Sequence, residues 1–327
     1  MAQSFDPKSF SALHGRRVET WYLACMNEGN PIETLQPVLL RQAYYLTGSL
    51  TDSEDIVQEA YLKWMAADTQ SVINPHAYLK RLVVNLAINW KRRQALRRAD
   101  YYGEWLPEPM AMERADAGIE SHQMLSYSLL VLLERLNAKE RAVFILKEAF
   151  DYDHEEIAEV LDITPANSRQ LLRRARLHIK ARPNARVPQE EQTEFLDRFR
   201  RIIQIGDTAE LETLLRDDVV AVSDGGGKAS AGKHPVTGRT RVARMLVGLY
   251  HKFYREISIS RTVICGQPAW VCEEGNAIRT CLIFTLREGK LHEVFLIRNP
   301  DKLSALQKNR AFVSRNAPLD CLDRKLC

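Results

Sequence analysis

The chain has 327 residues, 45% of them hydrophobic and 27% charged, with 46 Lys/Arg against 42 Asp/Glu. That length exceeds one ordinary core and points to two or three domains, while the apolar share excludes wholesale disorder. A net charge of +4 is small for such a chain, but it is unevenly placed. Lys80–Arg98 holds seven basic residues and no acid, and so does Arg169–Arg186; residues 104–120 between them are mostly acidic. Two separated basic blocks point to two contacts with one polyanion, with solvated helix faces as the plain alternative. No apolar run is long enough for a bilayer and no charged-then-apolar leader opens the chain, so a cytoplasmic protein is expected. Cys25, Cys265, Cys272, Cys281, Cys321 and Cys327 show neither CxxC spacing nor a neighbouring histidine pair, so no metal site is expected and the thiols read as incidental.

Residues 1–35 are weakly patterned and form an N-terminal extension, with one short helix predicted over 16–27. From Pro37 a helical period sets in with Leu39, Leu40, Ala43, Tyr44 and Leu46, and Gly48 stops it. Thr51 with Glu54 has capping-box spacing and predicts a second helix with the stripe Ile56, Val57, Ala60, Tyr61 and Trp64. Asn74 followed by Pro75 predicts a third, running to about Arg98. Its buried stripe is expected to be Leu79, Leu82, Val83, Leu86 and Trp90, with Arg81, Asn85, Asn89 and Arg92 on another face. Residues 36–100 therefore read as an all-helical domain, and Pro107, Pro109 and Gly118 mark 101–121 as a linker.

A second helical domain is expected over 122–182, where residues 153–179 carry the most informative pattern. Asp153 and Glu156 repeat the capping-box spacing, and a tight turn follows at Asp162–Ile163. Thr164 then caps a helix with Pro165 at its first position, in which Ser168, Leu172, Ala175 and Ile179 share the inner stripe. Asn167, Arg169, Gln170, Arg173, Arg174 and Arg176 are left pointing outward. A short helix, a tight turn and a basic, amide-bearing second helix form a helix-turn-helix, whose second helix fits the DNA major groove. There Arg pairs with guanine and Asn or Gln with adenine, while further arginines hold phosphates.

Beyond Pro183 and Pro188 the character changes. Helices over about 190–204, 207–215 and 239–252 are expected with strands at Val219–Ser223, Ile257–Cys265, Ala269–Glu273, Ala277–Arg287 and Leu291–Arg298. Helices followed by a meander of strands indicate an α+β domain over 187–305, leaving 306–327 as a tail.

Thr51–Tyr61 and Asn74–Trp90 resemble region 2 of extracytoplasmic-function (ECF) sigma factors, and Leu136–Ile179 resembles region 4. Three short motifs narrow the resemblance: Trp105-Leu106-Pro107-Glu108-Pro109, Asp224-Gly225-Gly226-Gly227-Lys228 and Asn299-Pro300-Asp301-Lys302-Leu303. With them the chain resembles the group carrying a fused SnoaL-like (NTF2-like) C-terminal domain. The resemblance implies a bacterial transcription initiation factor whose partners are core RNA polymerase, through its β′ and β subunits, and promoter DNA. It places Asp52, Asp55, Gln58 and Glu59 against polymerase, Asn85, Asn89, Trp90, Arg92 and Arg93 at the −10 element, and the outward face of the second helix at the −35 element. Trp90 is ambiguous, because its stripe assigns it to the core. Promoters of the group resemble TGTCACA at −35 and CGTC at −10.

NTF2-like folds, by resemblance, are a curved sheet wrapped by helices around a pocket, for which Asp224, His234, His251, His292 and Glu293 are the candidate polar groups. None of these has a spacing that specifies a reaction, so no enzyme, catalytic residue or cofactor is expected, and an unknown small-molecule ligand is the most the pocket implies. The glycines of 225–227 predict a tight loop with φ > 0 that leaves Asp224 and Lys228 at a surface. By resemblance the three motifs hold the C-terminal domain against the sigma regions, and that domain regulates in place of a separate anti-sigma factor. Two alternatives stay open: a helix-turn-helix regulator with a ligand-binding domain, and an NTF2-like isomerase or cyclase with an accessory DNA-binding part.

Overall fold

In the computed structural model the described residues are 35–67, 72–97, 100–111, 125–179 and 187–307. The helix expected over 16–27, linker residues 112–124, the tail beyond 307 and Cys25, Cys321 and Cys327 lie outside them. Helix α1, Gln36–Thr47, ends at Gly48, whose φ of 76° and N–H donation to the Tyr44 carbonyl make it a left-handed cap. Helix α2, Leu50–Ala66, begins earlier than the Thr51–Glu54 spacing implied. Ser49 is its N-cap, accepting from the Asp52 N–H, because Glu108 of the linker reaches in and accepts from the Leu50 and Thr51 N–H groups at 2.7 and 3.4 Å. A carboxylate at a helix start satisfies orphan donors and complements the dipole.

Helix α3, Pro75–Arg97, is capped by Asn74, which accepts from the Ala77 N–H. Its buried face differs from the expected stripe. Leu79, Val83, Val84, Ala87 and Ile88 are buried, whereas Leu82, Leu86 and Trp90 are only partly so. The face is turned by about a quarter of a helical revolution, because α3 packs not only on α1 and α2 but also on the second set of helices. That set is α4 (Tyr127–Leu133), α5 (Ala138–Phe150), α6 (His154–Leu161) and α7 (Pro165–Ile179).

The C-terminal part opens with α8 (Gln189–Ile205) and α9 (Thr208–Thr213), then β1 (Leu215–Asp224), β2 (Val236–Thr237) and α10 (Arg239–Leu249). A π-helical turn at Tyr250–Tyr254 extends α10. Strands β3 (Ser258–Ile264), β4 (Gln267–Glu274), β5 (Ala277–Arg287) and β6 (Lys290–Ile297) follow, and a last helix covers 300–307. The strand order is β2-β1-β6-β5-β4-β3. The expected meander is β3 to β6; β1 pairs parallel with β6 after the crossover through α10. Bulges in β1, β4 and β5 bend the strands.

Alternation along the strands sorts two faces. Trp270, Cys272, Leu282, Phe284, Val294 and Leu296 pack under α8, α9 and α10. The other face, with Val271, Cys281, Ile283, Phe295 and Ile297, joins the core of the helical domains. Strand β5 is accordingly buried without interruption from Thr280 to Leu286, the pattern of a strand covered on both sides. Leu306, in the segment expected to be tail, is fully buried in that same core.

Candidate functional site

The helix-turn-helix forms as its caps require. Asp153 accepts from the Glu156 N–H at 2.7 Å while Glu156 accepts from the Asp153 N–H at 2.8 Å, closing the capping box. Asp162 takes the left-handed conformation at φ 52°, in the position where glycine costs least. Thr164 caps α7 by accepting from the Asn167 N–H. Ser168, Leu171, Leu172, Ala175 and Ile179 are buried; Asn167, Arg169, Gln170, Arg173, Arg174 and Arg176 are exposed on one basic face. Two of these arginines have partners, Arg176 with Glu148 at 2.6 Å and Arg169 with Glu155 at 3.7 Å. Buried Ser168 shares a 2.9 Å hydrogen bond with His154 Nδ1 at the start of α6, which fixes the spacing of the two helices.

On the first helical domain, Asp55, Gln58 and Glu59 are exposed along α2, with Glu59 bridging to Lys63 at 3.0 Å. Asp52 is half-buried and accepts from Trp90 Nε1 at 2.9 Å. Trp90 thus rests its ring partly on the core and ties α3 to α2, rather than standing free as a base-stacking platform. Asn89, Arg92 and Arg93 line an open groove with Glu59, Lys63 and Leu86. Asn85 does not join them: its side-chain amide donates to the Val160 carbonyl of α6 at 3.3 Å, so the second helical domain covers it.

Two buried polar links fasten the helical domains together. Arg141 has no exposed surface; its Nε donates to the Tyr45 carbonyl at 2.8 Å and its guanidinium pairs with Glu134. Lys91 reaches the same Glu134 at 2.6 Å. This contact is imperfect, since Gln42 Oε1 and Arg141 Nη2 are buried without a hydrogen-bond partner. Each such atom costs about 1–3 kcal/mol.

The three short motifs meet at one place. Asp224 is buried, contrary to the expected surface position, because the glycine loop folds the carboxylate under the linker. Its Oδ2 accepts from the Leu106 N–H at 2.9 Å and from Lys302 Nζ at 2.6 Å, and its Oδ1 from the Tyr101 hydroxyl at 2.6 Å. Lys302 also donates to the Leu106 carbonyl and lies 4.0 Å from the centroid of the Trp105 ring. Gly226, at φ 58°, lets Asn299 approach so closely that a Cβ would stand 2.2 Å from its amide nitrogen. Lys228 is exposed as expected and pairs with Asp301. Below Leu106 the linker grips both helical domains. The Glu108 carbonyl accepts from Tyr44 and the Pro107 carbonyl from Tyr127, at 2.7 and 2.6 Å. Burial pushes the Glu108 carboxyl up, against the opposing pull of Ser49 and the Leu50 and Thr51 N–H groups.

The two helical domains match the family models for Sigma-70 region 2, over residues 32–97, and Sigma-70 region 4, over 126–179. The ECF RNA polymerase sigma factor SigJ of Mycobacterium tuberculosis is 33% identical to the chain, in an alignment that covers 87% of this chain and 96% of that protein. The chain belongs to the ECF sigma factors. The crystal structure of SigJ superposes with a TM-score of 0.67 at 29% identity, over 83% of this sigma factor and 96% of SigJ. The probable ECF sigma factor SigI of the same organism is 26% identical, covering 82% of this chain and 92% of SigI.

In this sigma factor the candidate pocket groups do not converge. Asp224 belongs to the clamp just described, His234 and His251 are exposed, and His292 lies 3.5 Å from Asp218. Burial lowers the His292 pKa. Glu293 points to the opposite sheet face, where burial raises its carboxyl and the Thr285 hydroxyl pulls it back. Under the helices Phe199, Trp270 and Phe284 pack edge to face, with centroids 5.2–5.4 Å apart. Sequence reasoning missed Tyr101, Glu134, Arg141 and Gln267. Gln267 accepts from the Ser128 N–H at 2.8 Å and donates to Thr285 at 2.7 Å, joining the β3–β4 hairpin to α4. Nothing local marks these residues; each has a partner distant in sequence, although Glu134 and Arg141 also pair with each other.

Proposed function

We propose that the C-terminal domain regulates this sigma factor by fixing regions 2 and 4 against one another rather than by covering their recognition faces. The basic face of α7 and the α2 residues Asp55, Gln58 and Glu59 are exposed, so neither DNA reading at −35 nor polymerase docking is masked residue by residue. The observation that carries the reading is the direct seating of Asn85 on Val160 O at 3.3 Å. The −10 and −35 elements, centred roughly 25 base pairs apart, are separated by about 85 Å of duplex at 3.4 Å per step. Regions in side-by-side contact do not straddle that distance. Initiation at a promoter of this type therefore requires the clamp at Asp224, Leu106 and Lys302 to open.

In the open form Asn89, Arg92, Arg93 and the freed Asn85 take the −10 strand. Arg173 and Arg174 with Asn167 and Gln170 take the −35 major groove, and Arg169 and Arg176 hold phosphates once released from their glutamates. Asp52, Asp55, Gln58 and Glu59 hold core polymerase, with the β′ and β subunits as the surfaces met. The protein works in the cytoplasm and carries out no reaction of its own. The reading invokes no small-molecule ligand.

Run-off transcription with core polymerase, on a template carrying TGTCACA and CGTC, compares the full chain, residues 1–186 and the full chain with Asp224→Ala. More transcript from the Asp224→Ala protein at equal concentration is expected. Equal output from the wild type and Asp224→Ala, with Leu106 demonstrably released, sinks the proposal.

A further inference from the structure

The two acid-free basic blocks that mark regions 2 and 4 have counterparts in the C-terminal domain. Arg198 to Gly206 contains three arginines and no acid, and Gly238 to Arg255 contains five Lys/Arg and no acid. The fold brings these runs together. Gly206, ending α8, lies against the His251 ring of the π-helical turn, where a Cβ would meet Nε2 at 2.9 Å. On α8, Asp197 pairs with Arg261 of β3, so that flank faces the sheet edge. Helical spacing puts Arg201, one turn on from Asp197, on the same outward face and Arg198 about 100° round from it, and both are exposed. On α10, Val242, Ala243, Leu246 and Val247 are buried, which leaves Arg241 and Arg244 on the outer face, continued by Lys252 and Arg255.

All six cations are exposed, and among the described residues none of them has an ion pair. Their neighbours differ: Arg239 is neutralised by Asp217, Arg216 by Asp218 and Glu288, and Arg261 by Asp197. Helix electrostatics accounts for Lys252 and Arg255, which sit at a C-terminal end. It does not account for Arg241 and Arg244. Arg241 stands in the first turn of a helix whose N-cap, Gly238, supplies no side-chain acceptor and whose first turn has no acid, where the dipole disfavours a cation, and Arg244 lies beyond the reach of either end. Stability alone selects against the placement of Arg241, and a polyanion selects for it.

We infer that Arg198, Arg201, Arg241, Arg244, Lys252 and Arg255 form a third DNA contact, on the backbone of duplex DNA and without sequence preference. α10 and its extension run over roughly 25 Å at 1.5 Å per residue, a length that meets several phosphates of a B-form duplex. The patch lies on the helix layer, on the side of the sheet away from regions 2 and 4, so it is free whether the clamp is shut or open. This inference uses the sigma assignment, which supplies the duplex, but not the proposed clamp mechanism.

The test uses the full chain with Arg198→Glu, Arg201→Glu, Arg241→Glu and Arg244→Glu together. None of these side chains makes a contact whose loss would unfold the domain, and circular dichroism checks that. Fluorescence anisotropy measures binding to a labelled 30-base-pair duplex without promoter elements, over a series of salt concentrations. Each phosphate contact contributes about 0.9 to the slope of log K against log salt. The variant is expected to lower that slope by about two to four and affinity at low salt at least tenfold. Arg173→Glu with Arg174→Glu on α7 serves as the comparison, and is expected to abolish preference for a −35 duplex. An unchanged slope and affinity in the quadruple variant overturns the inference. So does weaker binding to core polymerase without DNA while DNA affinity holds, because the patch then belongs to a protein contact. Loss of −35 preference in the comparison protein, whatever the quadruple variant does, keeps failure of the patch distinct from failure of the sigma reading.

Discussion

Replacing Lys302 with methionine keeps the length of the side chain and removes its charge. In the folded protein Lys302 Nζ is 2.6 Å from Asp224 Oδ2, with 7% and 0% of the two side chains exposed, so water screens the pair very little. Removing one member leaves Asp224 as a buried carboxylate held only by Leu106, Tyr101 and Gly226. Breaking a buried pair in this way costs about 3–5 kcal/mol, and the lost stacking on Trp105 adds to it. Since about 1.4 kcal/mol is tenfold in an equilibrium constant, opening of the clamp becomes roughly 10²- to 4 × 10³-fold more frequent. The Leu106 amide, which donates to Asp224 at 2.9 Å, reports that opening directly through hydrogen exchange. Asp224→Asn combined with Lys302→Met replaces the pair by two neutral groups, and part of the protection should return. Exchange at Leu106 in Lys302→Met within threefold of wild type, with the helical domains still folded, would refute the assignment of this pair as the keystone.

Gly226→Ala places a methyl into the Asn299 amide at a positive φ and should cost at least about 1–2 kcal/mol, read as a fall in melting temperature. Cys265, at the β3–β4 turn, is buried against Tyr44 and the Met110 carbonyl, and burial pushes its thiol to about 12. It should resist alkylation at pH 8 in the wild type and react measurably faster in Lys302→Met, as followed by mass spectrometry. Glu293 has a folded-state pKa raised by burial, so the folded state holds its proton more tightly than the unfolded chain does. Its contribution to stability is therefore most favourable at low pH and declines as pH rises from the ordinary carboxyl range through the raised value. Glu293→Gln should raise the melting temperature at neutral pH, with a gain that vanishes on acidification; a constant gain at every pH contradicts this.

What could be read in advance was what neighbouring residues decide among themselves. The Asp153–Glu156 box, the Thr164–Pro165 start and the inner stripe of α7 all lie within a few residues of one another, and the structure forms each as expected. The start of α2 was misplaced because its acceptor, Glu108, arrives from 58 residues away. The contacts that Asn85 and Trp90 make here were hidden for the same reason, since their partners are Val160 and Asp52. The docking face of the sheet did have a signal: the unbroken apolar run Cys281–Phe284 in β5 is what a strand covered on both sides looks like. The buried Arg141 had none, because a basic residue early in a helix looks the same whether it meets water or a carbonyl of another domain.

Gripping the linker also meters it. With residues 101–111 held, the stretch 112–124 between that grip and region 4 can span at most roughly 45 Å, the fully extended length of so many residues. Were the grip lost, as the proposed opening requires, the upper limit set by chain length over 98–124 would double to roughly 90 Å, comparable to the distance between promoter elements. Yet a doubled loop raises the entropy of closure by only about 0.6 kcal/mol. On the proposed mechanism the C-terminal domain would therefore change how far regions 2 and 4 can separate while adding almost nothing to the work of bringing them back.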